Sequence, residues 1–183
     1  PPICLKQKDI NFLMKLMGVL KKLMDYHLKS LKIKQISTYK VVKTYGHDKG
    51  FSCAFRQWSA ESHCSYIHGY SLGFTVTIGS DKLNEQNWVY DFGDFNFLED
   101  WLREHFDHTL LVAINDPHKD EIKSLDKNKI ARIVEVPEIS CEKFAEMTFK
   151  FIDNHFNVND YNVKVLSVEV SEHPGNTAGY YGE

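Results

Sequence analysis

The segment YSLGFTVTIGS, residues 70–80, alternates large apolar residues with small or polar ones along its whole length. Side chains two positions apart in a β-strand share a face, so this pattern predicts one apolar face and one polar face. The apolar row consists of Leu72, Phe74, Val76 and Ile78. A strand of this kind commits the chain to a sheet with one face buried under other elements.

Shorter patterns predict the other elements of the fold. STYKVVKTY and GFSCAF indicate a strand pair across the turn from Gly46 to Gly50, and WVYDFG, ARIVEV and YNVKVLSVEVSE indicate further strands. Helices are predicted over DFNFLEDWLREHF and CEKFAEMTFKFIDNHF, the second with Ser140 as its N-cap. This order predicts an α+β fold with a mainly antiparallel sheet and two helices on one face.

The first 36 residues differ from the rest in charge and periodicity. They hold eight Lys and two Asp, so they carry +6, and the remaining residues carry −9 of the overall −3. Their apolar residues fall near helical spacing, which predicts a basic amphipathic helix that lies on a membrane or docks on a partner. We divide the chain into an N-terminal appendage, residues 1–36, and a globular domain, residues 37–183. The chain starts with Pro1, which leaves open whether the appendage is native.

Charge and composition argue against several classes of protein. The acidic domain argues against nucleic-acid binding, because a phosphate backbone requires a cationic surface. The cysteines show no CxxC and no disulfide-framework spacing, which favours a reducing, cytoplasmic location. No apolar run is long enough to predict a transmembrane segment.

Glu172 lies in register with an apolar row of the last predicted strand. That row consists of Leu166, Val168 and Val170. A carboxylate that continues an apolar row is costly unless it has a partner. The pattern therefore makes Glu172 a candidate for a binding site.

Residues 51–74 concentrate groups that bind metals or move protons. These groups are Cys53, His63, Cys64 and His68. By strand parity His68 and Tyr70 continue the apolar face of the long strand, and Cys53 shares a face with Phe55. His63 and Cys64 lie in the adjoining loop.

Six motifs, in order from about Lys40 onward, resemble those of the 6-pyruvoyltetrahydropterin synthase and 6-carboxytetrahydropterin synthase family. They are FSCAF for F-x-A-x-H, CSYIHGY for C-x-x-x-H-G-H, VYDFGDFNFLEDWL for V-x-D-F-x-x-(L/F)-K, FDHTLL for L-D-H-x-x-L, SCEKFA for (S/T)-x-E-N-x-A, and VEVSEHPGNTAGYYGE for the closing strand. The short spacing from Cys64 to His68 is closer to the bacterial enzymes of queuosine biosynthesis than to the animal enzymes.

The resemblance implies a T-fold, an antiparallel four-stranded sheet with two helices, assembled through its edges into a barrel-like trimer and commonly a homohexamer. It also implies active sites between subunits, dihydroneopterin triphosphate as substrate, and zinc held by three histidines. By position, Cys64 is the thiolate that moves carbon-bound protons, and Asp107 and His108 assist it. Glu172 and Glu142 hold the pterin ring, whose adjacent amino and N–H groups suit a carboxylate.

The sequence departs from the family at two of the three zinc positions. Phe55 stands at the first and Tyr70 at the third, so His68 is the only histidine ligand retained. We expect zinc to be absent or weakly bound, with Phe55 and Tyr70 walling the substrate pocket. A rebuilt site that uses Cys53 and His63 is the alternative.

The leading functional expectation is a carbon–oxygen lyase of the 6-carboxytetrahydropterin synthase type, acting on dihydroneopterin triphosphate or a related pterin with altered or absent zinc. The alternative is a non-catalytic or metal-free T-fold protein that binds a pterin or purine, and a metal-free retro-aldol cleavage of dihydroneopterin is a third possibility. The retained proton-transfer residues Cys64, Asp107 and His108 favour the enzyme. Phe55 and Tyr70 favour the binding protein.

Overall fold

The computed structural model describes residues 37–182 and, before them, Met14, Met17, Gly18, Leu20 and Lys21. These five residues are helical and exposed. The predicted amphipathic appendage otherwise lies outside the described residues, so it and the division at residue 36 stay predictions. None of the helices in the described residues is both long and apolar enough to cross a membrane.

Between residues 37 and 182 the chain forms seven strands and three α-helices. The strands are β1 (Tyr39–Tyr45), β2 (Phe51–Phe55), β3 (His68–Ser80), β4 (Thr109–Ala113), β5 (Ile133–Val136), β6 (Lys164–His173) and β7 (Asn176–Tyr181). The helices are α1 (Asn96–Phe106), α2 (Lys119–Lys127) and α3 (Cys141–Val158). This is an α+β fold, and both predicted long helices are present.

The long strand β3 organises the sheet. Its first half pairs antiparallel with β2 and its second half with β1, while β6 pairs with it antiparallel and β7 extends the sheet beyond β6. Strand β4 runs parallel to β2, and β5 runs parallel to β4. The predicted pairing of β1 with β2 is therefore wrong, because each of these strands pairs with a different part of β3.

The apolar face of the sheet is covered by α1 and α3. The helices contribute almost fully buried Leu98, Leu102, Phe106, Phe144, Ile152 and Phe156, which pack with Phe74, Val76 and Ile78 of β3. Burying each side chain of this size contributes about 1.5–3 kcal/mol. Helix α3 starts as predicted, because the Ser140 side chain accepts a hydrogen bond from the Lys143 N–H at 3.1 Å.

Three local features differ from the prediction. Thr77 pairs with Ser167 and Ile78 with Val165, so a β-bulge at Leu166 turns Val165 into the core in place of Leu166. The segment WVYDFG forms no strand and ends in the 3₁₀ turn Phe92–Phe95. Strands β4 and β7 and helix α2 were not predicted.

Candidate functional site

A cavity of about 600 Å³ opens where β2, β3, β6, β7 and the start of α3 meet. It is lined by Phe55, Gln57, Ala60, Ser62, Cys64, His68, Ile139, Ser140, Cys141, Glu142, Glu172, Gly175, Asn176, Thr177 and Ala178. The structure thus brings together five of the predicted site residues: Phe55, Cys64, His68, Glu142 and Glu172. Its volume lies within the range of small-molecule sites.

A second β-bulge holds Glu172 at this cavity. Ser171 pairs with Thr177 of β7 and His173 pairs with Asn176, so Glu172 is the extra residue between two paired positions. A bulge of this kind re-aims a side chain, and bulges are common beside active sites. The Glu172 carboxylate makes no hydrogen bond or ion pair with any other described residue. It is therefore available to a ligand.

Glu142 approaches the cavity from the first turn of α3. The helix N-terminus favours a negative charge, so this carboxylate also has a structural reason to be there. Among the described residues that line the cavity, none is Lys or Arg. The cavity therefore presents two carboxylates to a ligand, with no balancing Lys or Arg among its described lining residues.

The three cysteines of the globular domain differ in their surroundings. Cys64 is half-buried in the 3₁₀ turn His63–Ser65, and its backbone N–H donates to the Ser62 hydroxyl. Burial, together with the carboxylates of Glu172 and Glu142, raises the pKa of the Cys141 thiol to about 12. Burial also raises the pKa of Cys53 to about 12. Cys53 and Cys141 are therefore held as thiols at neutral pH.

The residues at positions 55, 68 and 70 do not fit a zinc ion. Phe55 is only 4% exposed and offers no donor atom, and its ring lies edge-on to His68 at 5.2 Å. Burial, with the nearby Glu172 carboxylate, raises the pKa of Tyr70, so its hydroxyl is a poor metal ligand. Within the described part of the chain, no group of three His, Cys, Asp or Glu side chains could hold a metal. The rebuilt site with Cys53 and His63 is thus not formed.

Asp107 and His108 lie outside this cavity. Asp107 ends α1 and His108 follows with a left-handed backbone, φ 56°, as residues after a helix often do. Their side chains are 2.6 Å apart, and the hydrogen bond from His108, with one from Arg103, lowers the pKa of Asp107. The His108 side chain is 88% exposed and borders a separate pocket beside Ser52 and Gly69.

Gln57 is a site residue that the sequence patterns did not reveal. Gln57 lines the cavity, donates its backbone N–H to the Cys64 carbonyl and its side-chain N–H to the Ile139 carbonyl. It therefore connects the Cys64 loop to the start of α3. The signal was weak, because both acceptors are backbone carbonyls and one of them, that of Ile139, is 82 residues away in the sequence.

The sequence of residues 45–183 matches a family model described as 6-pyruvoyl tetrahydropterin synthase. The 6-carboxy-5,6,7,8-tetrahydropterin synthase of Aquifex aeolicus is 28% identical over 144 residues, which cover 76% of this chain and 86% of that protein. The enzyme of the same name from Rickettsia typhi is 28% identical over 67 residues, or 36% of this chain and 49% of that protein.

Solved structures share the fold at lower sequence identity. An uncharacterized protein from Wolinella succinogenes matches with a TM-score of 0.68 and 22% identity, over 79% of this chain and 98% of that chain. The 6-pyruvoyl tetrahydropterin synthase of Plasmodium falciparum matches with a TM-score of 0.58 and 14% identity, over 80% of this chain and 98% of that chain. These likenesses confirm the predicted T-fold.

Proposed function

The chain belongs to the 6-pyruvoyl tetrahydropterin synthase family, and from this we propose that its cavity binds a pterin and that it is a lyase of the 6-carboxytetrahydropterin synthase type. The proposed substrate is dihydroneopterin triphosphate or a related pterin. The observation that carries the proposal is the free Glu172 carboxylate, held by a β-bulge at a cavity that also contains Cys64.

Glu172 is the proposed anchor for the ring. A pterin presents an amino group and a ring N–H on one edge, and a carboxylate accepts both hydrogen bonds. Glu142 supplies a second acceptor from the start of α3, and the buried ring of Phe55 forms an apolar wall beside them. A planar, donor-rich ring suits this combination of carboxylates and aromatic surface.

Cys64 is the proposed base that removes a carbon-bound proton from the ligand side chain. A base of this kind works with a partner imidazole, and the hydrogen-bonded Asp107–His108 pair is suited to that task. Because the pair lies at another pocket, we propose that the subunit assembles into a trimer or hexamer in which His108 of one copy serves Cys64 of another. The 88% exposure of His108 in the single subunit supports this arrangement.

We derive no chemical step through zinc, because the side chains at positions 55 and 70 do not fit it. Tyr70, expected to wall the substrate pocket, lies outside the cavity lining and borders the pocket of His108, so we propose no role for its hydroxyl in the cavity. The lack of Lys and Arg in the described lining also bears on the substrate. The cations that bind a triphosphate would have to come from outside this cavity. Dihydroneopterin, which carries no phosphate, is therefore the pterin to compare with dihydroneopterin triphosphate as a ligand.

The test is binding and turnover with Glu172→Gln against a control on the same strand. The variant keeps the shape and loses the charge, so dihydroneopterin binding measured by calorimetry should weaken at least about tenfold. Glu169→Gln is the matched control, because Glu169 bonds to the Tyr181 hydroxyl away from the cavity and should leave binding unchanged. Equal binding by the natural chain and Glu172→Gln would contradict the proposed anchor.

A metal-free pterin-binding protein is the second candidate, favoured by Phe55 in place of a metal donor. Incubation with dihydroneopterin triphosphate and with dihydroneopterin, followed by chromatography of the pterin products, separates the two candidates. Turnover that depends on Cys64 supports the lyase. Binding that depends on Glu172, without turnover of either compound, supports the second candidate.

A further inference from the structure

Three rings at the mouth of β2 and β3 form a nearly equilateral triangle. The ring centres of Phe55 and His68 are 5.2 Å apart, those of His68 and Tyr70 5.6 Å, and those of Phe55 and Tyr70 6.0 Å. Phe55 is paired in register with His68, and Tyr70 is two residues further along β3 on the same face. The three positions therefore converge because of the strand pairing alone.

This spacing is close to that of a three-histidine zinc site. With Zn–N bonds of about 2.0–2.1 Å in a tetrahedral arrangement, the centres of three imidazole rings lie about 5 Å apart. The backbone at positions 55, 68 and 70 thus presents its side chains at nearly the separation that a metal requires. Two of the three ligands are missing, because Phe55 offers no donor atom and the Tyr70 hydroxyl is a poor metal ligand.

His68 is already oriented as a metal ligand is. Its Nδ1 donates to the Tyr66 carbonyl oxygen at 2.7 Å, which leaves Nε2 as the lone-pair nitrogen of the neutral ring. A backbone carbonyl that fixes the tautomer in this way is the usual outer partner of a metal-bound histidine. The orientation of His68 therefore persists without two fellow ligands.

Gly69, which lies on the opposite face of β3 from the three rings, also fixes the position of β2 against β3. A Cβ atom on Gly69 would lie 2.8 Å from the Cys53 carbonyl oxygen, so only glycine allows the two strands to approach this closely. On the ring side Phe55 packs edge-on against Phe144 of α3 at 5.4 Å. Aromatic packing therefore joins β2, β3 and α3 at this point.

We propose that positions 55, 68 and 70 are an intact zinc scaffold with an incomplete donor set. The natural chain then binds no zinc there, and two substitutions, Phe55→His and Tyr70→His, are sufficient to create a zinc site. The proposal concerns the chain's own geometry. It does not rest on the proposed function, and its test needs no pterin.

The experiment measures metal content of the full chain, without a metal-binding tag, after incubation with zinc and dialysis. The double variant Phe55→His/Tyr70→His should retain about one zinc per chain at pH 7.5, since three neutral imidazoles complete a protein site. It should release the metal as the pH falls through the imidazole range. The natural chain should retain less than about a tenth of one zinc. Cobalt in place of zinc should give the visible absorption of a tetrahedral centre.

Two controls separate this site from adventitious binding. Thr44→His/Thr75→His places two histidines at another register pair of the same sheet and should retain no stoichiometric zinc. Adding His68→Ala to the double variant should abolish its binding. Circular dichroism reports whether each variant is folded.

Two outcomes would overturn the proposal. One is a stoichiometric zinc in the natural chain that His68→Ala removes. The other is a folded double variant that binds no more zinc than the Thr44/Thr75 control. If the double variant does not fold, Phe55→Cys/Tyr70→His, which also supplies three donors together with His68, replaces it under the same two readings.

Discussion

Arg56 and Asp116 form a bidentate ion pair directly after β2. Arg56 Nε and Nη2 donate to the two carboxylate oxygens at 2.8 Å each, and Asp116 also accepts the His118 backbone N–H. The third guanidinium nitrogen, Nη1, donates to the Ser65 carbonyl at 3.4 Å. The Asp116 side chain is 1% exposed, so its negative charge is stabilised almost wholly by these hydrogen-bond partners and hardly by water. The pair therefore connects the loop that carries Cys64 to the rest of the domain.

Arg56→Ala should lower the free energy of unfolding by about 3 kcal/mol, because it leaves a buried carboxylate without its counter-charge. Arg56→Leu/Asp116→Leu should lose less than the single variant, since no buried charge is stranded. Urea unfolding monitored by circular dichroism measures both. An effect of Arg56→Ala no larger than that of Lys123→Ala, which removes an exposed pair with Glu135, would show that the carboxylate is solvated.

Helices α1 and α3 meet through stacked rings. The Phe97 and His155 rings lie 3.6 Å apart and 5° from parallel, and Trp101 stacks on Phe151 at 4.6 Å. Burial lowers the pKa of His155, so the neutral imidazole is the form that packs. The contact between the two helices is consequently sensitive to acid.

The free energy of unfolding should fall as the pH drops below about 6.5, where the unfolded chain protonates His155 before the folded chain does. Because the pKa of His155 is lower in the folded state than in the unfolded state, the unfolded state binds more protons in this pH range. Lowering the pH therefore favours unfolding. His155→Phe keeps a stacked ring and removes the titration, so its loss between pH 6.5 and 5 should be smaller. Denaturant titrations across this range measure the difference. Parallel curves for the two proteins would contradict it.

Local sequence patterns predict most of the helices and strands. They fail where the conformation of a segment depends on residues that are distant in the sequence. The alternation in β3 and the N-cap at Ser140 depend on neighbouring residues only, so both predictions are confirmed. The bulges at Leu166 and Glu172 depend on which residues face them across β3 and β7, and no local pattern contains that information. The family motifs led to the cavity residues, whereas Gln57 required the three-dimensional path of the backbone.

The whole molecule places its reactive groups at two separate surfaces. Cys64 lines the cavity, and the Asp107–His108 pair borders another pocket of about 460 Å³. If one subunit supplies the thiolate and its neighbour the imidazole, a single chain is incomplete as a lyase. This consequence of the proposed function can be tested by mixing subunits.

Mixed oligomers of Cys64→Ala and His108→Ala should recover activity that neither variant has alone, because some interfaces then contain both intact groups. Co-expression with two affinity tags isolates the mixed species, and light scattering gives the size of the assembly. Recovery should reach about a quarter of natural turnover if chains assort at random and each site needs one group from each neighbour. No recovery from a mixed oligomer would indicate that both groups act within one chain, and a monomer would contradict the assembly.

The central position of β3 also governs the order in which the molecule can form. Strands β1 and β2 lie shortly before β3 in the sequence, whereas β6 pairs with β3 from the far end of the domain, for example Val170 with Phe74. Contacts between such distant residues close late, because the loop entropy is lost before they contribute. Glu172 belongs to β6 and reaches its place at the cavity only when β6 has paired. The cavity is complete only when β6 and β7 are in place, so the proposed pterin ligand would stabilise only the completed fold.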